Sequence, residues 1–398
     1  MPVVAATIAA KNQLALARVV ASSFARRHPE VPFVVLLADE IEGCFDPDAE
    51  AFEVVPLKAM GLEGGERLCF RFPQQPLSYA CTPMLISYLL DRGFDRVLFF
   101  KQESMVLGRM DDAIELLGKC SVLLTPHLVS PLEGADAAER ELTILLSGVH
   151  NIGFVGVSDT ESARRLLSWW AERTTEACEH AVGEGIHYEQ RWLDLALSYF
   201  DGVKVLRDPS YNVAHWNLPE RRVTIAGDRV MVDGRRCRLF RFSGYDIDRP
   251  DRPTRYFDRL SMDEIGDAAT VFADYHRSLE HSGMRTTSCW PYAWDRFDNG
   301  VAIPDVVRVI YREAESSGTV FERPFTTGEV ESFFTWLGSP ADQGPPHQVV
   351  TNLWLGVWRR RADVQEAYPE PLGEDREGFL GWTRSSGRVE HRIPEELW

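Results

Sequence analysis

The sequence predicts an α/β fold in which helices flank a sheet that opens with parallel strands, followed by a mainly helical C-terminal extension. Three observations lead there. Val3 to Ile8, a helical pattern through Leu14, Ala17, Val20, Ala21 and Phe24, and the all-apolar Phe33-Val-Val-Leu-Leu-Ala38 run in the order strand, helix, strand, which is how a parallel sheet begins. The same order returns with Thr82 to Leu90 as a helix, Gly93 closing it, and Arg96-Val-Leu-Phe-Phe100 as a buried strand. Beyond Asp248 the pattern turns helical.

The elements between follow the same logic. Ser121-Val-Leu-Leu-Thr125 and Ile152-Gly-Phe-Val-Gly-Val157 are apolar strands, and the second leads into an amphipathic helix from about Thr160 to Cys178. That helix carries Trp169-Trp170, of which at least one is read as packing. A helix from Tyr188 to Tyr199 precedes the strand Val203-Lys-Val-Leu206. Val223 to Val232 reads as a hairpin turning at Ala226-Gly-Asp228, and Arg238-Leu-Phe-Arg-Phe242 as a last strand. The first domain is therefore expected to span 1–246. The run Asp-Arg-Pro-Asp-Arg-Pro253 marks a connection, and 247–398 is expected to form a mainly helical region packed on the core. Its helices are Asp263 to Ser282, Pro304 to Glu315, Gly328 to Leu337 and Val349 to Val364, with Gly338 to Pro346 a loop. The aromatic segment from Cys289 to Asn299 admits two readings, packing between modules or a cover over a second substrate.

Composition bounds the function. The chain has 398 residues, enough to bury a sizeable core, with 44% apolar and 26% charged residues. A formal charge of −17 argues against a general nucleic-acid or anionic-membrane binder, which needs a surplus of Lys and Arg at the contact. Arg235-Arg236 and Arg359-Arg360-Arg361 are short and read as solvated faces. The start lacks a basic leader with a long apolar run, and no segment approaches a membrane-spanning length. Seven cysteines without a Cys-x-x-Cys pattern suit reduced thiols, so a cytoplasmic location is expected and a structural zinc site is not.

In an open α/β sheet, ligands gather at the carboxyl ends of the strands. Lys101-Gln102-Glu103 directly follows the buried strand Arg96 to Phe100. On position alone these residues read equally as the polar exit that every strand needs. The surrounding chain adds weight, because Val97-Leu-Phe-Phe-Lys101-Gln-Glu103 resembles the Val-Leu-Tyr-Leu-Asp-x-Asp strand of GT-A glycosyltransferases, specifically retaining ones related to the glycogenin and lipopolysaccharide-galactosyltransferase family. Asn151-Ile-Gly153-Phe is similar to that family's Asn-x-Gly strand beneath the donor sugar, and Glu189-Gln190 stands where it has Asp-Gln. Asn212-Val-Ala-His215-Trp216-Asn-Leu resembles a segment of bacterial glycosyltransferase-like proteins.

The resemblance implies a Rossmann-like mixed sheet flanked by helices, and a nucleoside diphosphate sugar, uridine- or guanosine-linked, as co-substrate with no other cofactor. It also marks departures. The metal-binding Asp-x-Asp is replaced by Lys101 and Glu103, and the family's His-Phe-x-Gly, whose His is a metal ligand, reads Arg241-Phe-Ser243-Gly244. Where relatives carry Lys-Pro in the helix before the strand, this chain has Leu85-Ile86. Lys101, Glu103 and Arg241 together keep a net positive charge, so fixed cations are expected to stabilise the departing diphosphate in place of a metal.

The resemblance further implies that the anomeric configuration is retained. It makes Glu189 and Gln190 candidates beneath the anomeric carbon, although both also read as an ordinary helix N-terminal turn. Thr7, Lys11 and Asn12, expected in the loop after the first strand, are candidates for base and ribose, with a solvated Lys11 the competing reading. Gln102, Asn151, Gly153, Ser243 and Gly244 complete the expected donor site, and His215 and Trp216 line a sugar or acceptor pocket or else belong to the core. The acceptor implied is a natural-product scaffold, a glycan or a peptide. The competing function is a pseudo-enzyme that binds a nucleotide sugar or a protein without turnover. A hydrolase or nucleotidyltransferase is disfavoured because no Gly-x-x-x-x-Gly-Lys loop is present.

Overall fold

The computed structural model describes residues 1–257 and 259–397. Residues 1–60 with 78–292 pack as one compact unit and residues 61–77 with 293–398 as a second.

The first unit is built on a seven-stranded mixed sheet flanked by helices. In chain order its strands are β1 (Val3–Ala9), β2 (Phe33–Leu37), β3 (Glu53–Pro56), β4 (Arg96–Phe100), β5 (Ser104–Val106), β6 (Val122–Pro126), β7 (His150–Ser158), β8 (His180–Ala181), β9 (Ile186–His187), β10 (Val203–Val205), β11 (Val223–Ala226), β12 (Arg229–Val232), β13 (Arg235–Arg236) and β14 (Leu239–Arg241). The main sheet has the order β10-β6-β7-β4-β1-β2-β3. β7 runs antiparallel to both β4 and β6, while β1, β2, β3 and β4 are mutually parallel. Every residue of β2 and β6 is buried, as strands covered on both faces require.

Local chemistry sets the boundaries. The helix Glu161–Glu176 starts where the Thr160 hydroxyl accepts from Ala163 N at 3.1 Å. The helix Thr82–Asp91 ends before Gly93, whose φ of 90° is the left-handed turn glycine allows.

Several expectations are revised. The helix read from Tyr188 to Tyr199 is instead a short 3₁₀ turn, Arg191–Leu195, running into Ala196–Tyr199. Tyr188 has a φ of 49° and the carbonyl of Glu189 accepts from Trp170 Nε1 at 2.9 Å, so the helix cannot begin there. The last strand, β14, leaves the main sheet and pairs antiparallel with β5. The polypeptide divides after Tyr292 and not near residue 246. The Asp/Arg/Pro run breaks secondary structure without ending the packing, because the helix Ala268–His281 buries Val271, Phe272, Tyr275 and Leu279 against Phe240 and Phe242.

The second unit is helical. Helices Gly65–Arg71, Asp305–Ser316, Phe333–Gly338, Asn352–Arg359 and Arg376–Trp382 belong to it. Phe70 packs against the rings of Phe297, Tyr311, Phe325 and Phe333 at centroid distances of 4.8–5.7 Å, so Phe297, in the Cys289 to Asn299 segment, serves packing. Among the described residues no helix is long and apolar enough to cross a membrane.

Candidate functional site

Four charged side chains meet beyond the carboxyl end of β4, in an arrangement the sequence did not foretell. Lys101, only 4% exposed, places its ammonium against the Glu189 carboxylate and over the Tyr79 ring, 2.9 Å from its centroid. Arg241, 5% exposed, faces Glu103 at 3.6 Å. Glu103 thus pairs with Arg241 and not with Lys101. The chain bends between β4 and β5, and Glu103 is held toward β14 by Phe242 N donating to its carbonyl at 2.8 Å. With Glu189 present the four charges cancel, so the expected net positive cluster is also revised. Burial pushes Lys101 down to about 8, opposed by Glu189 and assisted by Arg241.

The two cations differ in what they leave open. The Lys101 ammonium is ion-paired with Glu189, although it too lacks a hydrogen bond of ordinary geometry. Arg241 Nε and Nη1 are buried without a hydrogen-bond partner, an arrangement that native folds seldom keep in a closed core. Arg241 is fixed through its backbone, whose N–H donates to Val213 O at 2.7 Å. Its side chain lies over Gly153, where a Cβ would collide with Asn212 Oδ1, Asn151 Oδ1 (2.8 Å) and Arg241 Cδ (2.9 Å). Gly153 is thus needed for close approach of these three side chains.

Asn151 and Gln190 are both present, with their hydrogen bonds already spent. Asn151 Oδ1 accepts from Gly153 N at 2.8 Å and from Asn212 Nδ2 at 3.0 Å. Asn151 Nδ2 reaches His127 Nε2 at 3.0 Å and Gln190 Oε1 at 3.4 Å, and Gln190 Nε2 donates to Ser147 O at 2.7 Å. These amides position the site. A β-bulge in β7 opposite Leu124 and Thr125 turns Asn151 to the end of β6 and Gly153 O to Lys101 N at 3.2 Å.

Other candidates fare differently. Thr7 is within β1, not after it, and its buried hydroxyl donates to Phe100 O at 2.8 Å. Lys11 is fully buried and closed by Asp39 (3.2 Å), Glu42 and Glu40 O (3.1 Å), which ties the loop after β1 to the loop after β2; it is neither solvated nor open. Asn12 is half-buried in the 3₁₀ turn Lys11–Gln13. Gln102 and Ser243 are buried. At Gly244, φ 73°, a Cβ would meet Thr254 Oγ1 and the Tyr256 ring at 2.6 Å, so this glycine admits the returning chain. His215 is buried and packs edge-on against Trp216 at 4.9 Å. Burial, with Arg241 nearby, lowers His215 to about 3.

The sequence reading missed His127 and Tyr79, and it named Asn212 and Asn217 only as part of a resembled segment. His127 directly follows β6 and was open to the same strand-end rule that singled out Lys101. Asn217 donates to the carbonyls of His127 (3.1 Å) and Asn212 (3.0 Å) and orders the segment carrying both.

Each carboxylate of the cluster is engaged by a cation, Glu189 by Lys101 and Glu103 by Arg241. Of the three positions where the resembled family places ligands, two carry cations, and the remaining carboxylate, Glu103, faces Arg241. Among the described residues one metal-like cluster, His28, Glu30 and Asp111, lies elsewhere. Arg109 bonds both of its carboxylates, and His28 Nε2 accepts from Met110 N at 2.9 Å, so it is a closed ion-pair network.

No protein-family model matches the chain. It is 24% identical over 254 residues to the uncharacterized protein YfnF of Bacillus subtilis (strain 168), covering 61% of this chain and 81% of that protein. Among solved structures it is similar to the galactosyltransferase LgtC in complex with donor and acceptor sugar analogs, with a TM-score of 0.43 and 15% identity over 70% of this chain and 96% of that one. It is also similar to the glycosyltransferase GlyE of Streptococcus pneumoniae TIGR4, with a TM-score of 0.39 and 15% identity over 74% of this chain and 67% of that one.

Proposed function

We propose that the chain transfers a glycosyl group from a uridine or guanosine diphosphate sugar to an acceptor, without a divalent metal, and that Arg241 meets the charge of the departing diphosphate. One observation carries this reading. A guanidinium stands where the resembled family has its metal-binding histidine, and it is buried with Nε and Nη1 open. A guanidinium fork matches phosphate oxygens, and fixed donors in a dry site stabilise developing negative charge strongly.

Lys101 has a supporting part in this scheme: it neutralises Glu189, leaving that carboxylate as a held charge instead of a nucleophile. The resemblance to retaining enzymes extends the proposal to stereochemistry. The bond from the anomeric carbon to the phosphate oxygen breaks, the acceptor oxygen bonds to the same face, and the departing phosphate takes the acceptor proton. A natural-product scaffold, a glycan or a peptide is the proposed acceptor class, and cytoplasm the proposed location.

The test is a thermal-shift panel of nucleoside diphosphates and their sugars with chelator present, followed by turnover assays. A binding nucleotide at about 100 times its Kd stabilises the fold by roughly 2.7 kcal/mol. A shift that survives chelator and disappears in Arg241→Ala supports the assignment. A shift that needs added metal overturns it. Binding without turnover on any donor would leave the pseudo-enzyme reading in its place.

A further inference from the structure

His127 closes β6, and its protonation state can be deduced from its neighbours. Asn151 Oδ1 accepts from Gly153 N and Asn212 Nδ2, which fixes the amide so that Nδ2 is the atom facing His127 Nε2 at 3.0 Å. An amide nitrogen only donates, so His127 Nε2 must carry the lone pair. In the neutral ring the proton then sits on Nδ1, and burial, with His187 nearby, keeps the ring neutral by lowering it to about 3.

Nδ1 is buried and makes no hydrogen bond of full geometry, although the Val149 backbone carbonyl is near enough to favour the ring proton. The His127 ring meets the Trp216 ring edge-on at 5.4 Å, and Trp216 Nε1, which can only donate, is likewise buried and unpartnered. The backbone of His127 is held on both sides, its N–H donating to Val149 O at 3.0 Å and its carbonyl accepting from Asn217 Nδ2 at 3.1 Å. A rigid pair of neutral donors is therefore left unsatisfied beside Arg241, and unmade buried hydrogen bonds are costly to keep.

We propose that His127 is a substrate-binding residue whose Nδ1–H, together with Trp216 Nε1–H, donates to an acceptor oxygen of the nucleotide sugar, on either the diphosphate or the transferred sugar. The proposal rests on the nucleotide-sugar reading above. Asn151 is then a positioning residue that sets the tautomer, and Gly153 leaves the room it needs.

The test measures Kd by calorimetry for UDP and UDP-glucose, and for GDP and GDP-mannose, in the wild type and in His127→Ala, His127→Asn, His127→Gln and Arg241→Ala. His127→Ala is expected to weaken binding about 10- to 100-fold. His127→Asn, whose amide N–H can replace the ring Nδ1–H, recovers most of it. His127→Gln, which offers its amide at the Nε2 position, does not. An equal loss for diphosphate and nucleotide sugar assigns the contact to a phosphate oxygen, and a loss for the nucleotide sugar alone assigns it to the sugar. If the His127 variants bind as the wild type while Arg241→Ala loses diphosphate, the His127 proposal is wrong and the reading beneath it stands. If Arg241→Ala also binds normally, that reading falls as well. Equal recovery by His127→Asn and His127→Gln would reduce His127 to a packing role.

Discussion

Each unit of the molecule buries an arginine almost completely, and the two are used in opposite ways. In the helical unit Arg308, 1% exposed, donates to the carbonyls of Cys69 (3.1 Å), Phe70 (2.8 Å), Phe72 (3.2 Å) and Trp294. These include the last carbonyls of the helix Gly65–Arg71, groups that a helix end leaves open and slightly negative. In the sheet unit Arg241 is buried to a similar depth, yet Nε and Nη1 have no partner and its one acid stands 3.6 Å away. Burial of a guanidinium therefore says little by itself. The completeness of its hydrogen bonding separates a structural cation from one held ready for a ligand.

Lys101 sharpens this comparison and should give the largest effect. If it is closed by Glu189 as the structure shows, Lys101→Met leaves a buried carboxylate unpaired and costs about 3–5 kcal/mol in urea unfolding. Adding Glu189→Gln should recover most of that loss. A Lys101 variant of unchanged stability would mean that its charge is held for a ligand, as Arg241's is.

The two arginines should then dissociate cleanly. Arg308→Met removes the shared donor of four carbonyls and is expected to cost about 3 kcal/mol of stability while leaving nucleotide affinity unchanged. Arg241→Met should do the reverse, holding stability within about 0.5 kcal/mol and costing about 2–3 kcal/mol in diphosphate binding. Equal destabilisation by both substitutions would erase the distinction.

The sheet was legible because strands buried on both faces are continuous apolar runs: β4 was read at Arg96–Phe100 without error. β3 and β5 were not, being four and three residues long with no pattern to register. At the site, the strand-end rule found Lys101 and Glu103, and the resemblance added Glu189 and Arg241. Sequence could not say which acid pairs with which cation, because that depends on the bend after Phe100 and on the left-handed Tyr188 that precedes Glu189. Thr7 was misplaced as well. The run Val3 to Ile8 already contained it, and β1, which extends to Ala9, carries its side chain into the core.

Acid should separate the two units as well. Burial lowers His127 and His215 to about 3 and His187 to about 4, and all three belong to the sheet unit. Among the described residues of 293–398 burial also lowers His391, but that residue is only half-buried. A histidine whose folded value lies below the unfolded 6.5 takes up its proton more readily in the unfolded chain. Its neutral, buried form is therefore no burden above about pH 6.5, and stability falls as the pH drops from there toward 3–4, by up to about 1.4 kcal/mol per pH unit for each group. Hydrogen exchange read by segment at pH 7 and pH 4.5 should show protection lost first around residues 122–127, 186–190 and 212–217, and His215→Phe should flatten the decline. Earlier loss in the helices Asp305–Ser316 or Asn352–Arg359 would show that acid acts through the carboxylates of the second unit, and that the neutral histidines beside Arg241 do not set the limit.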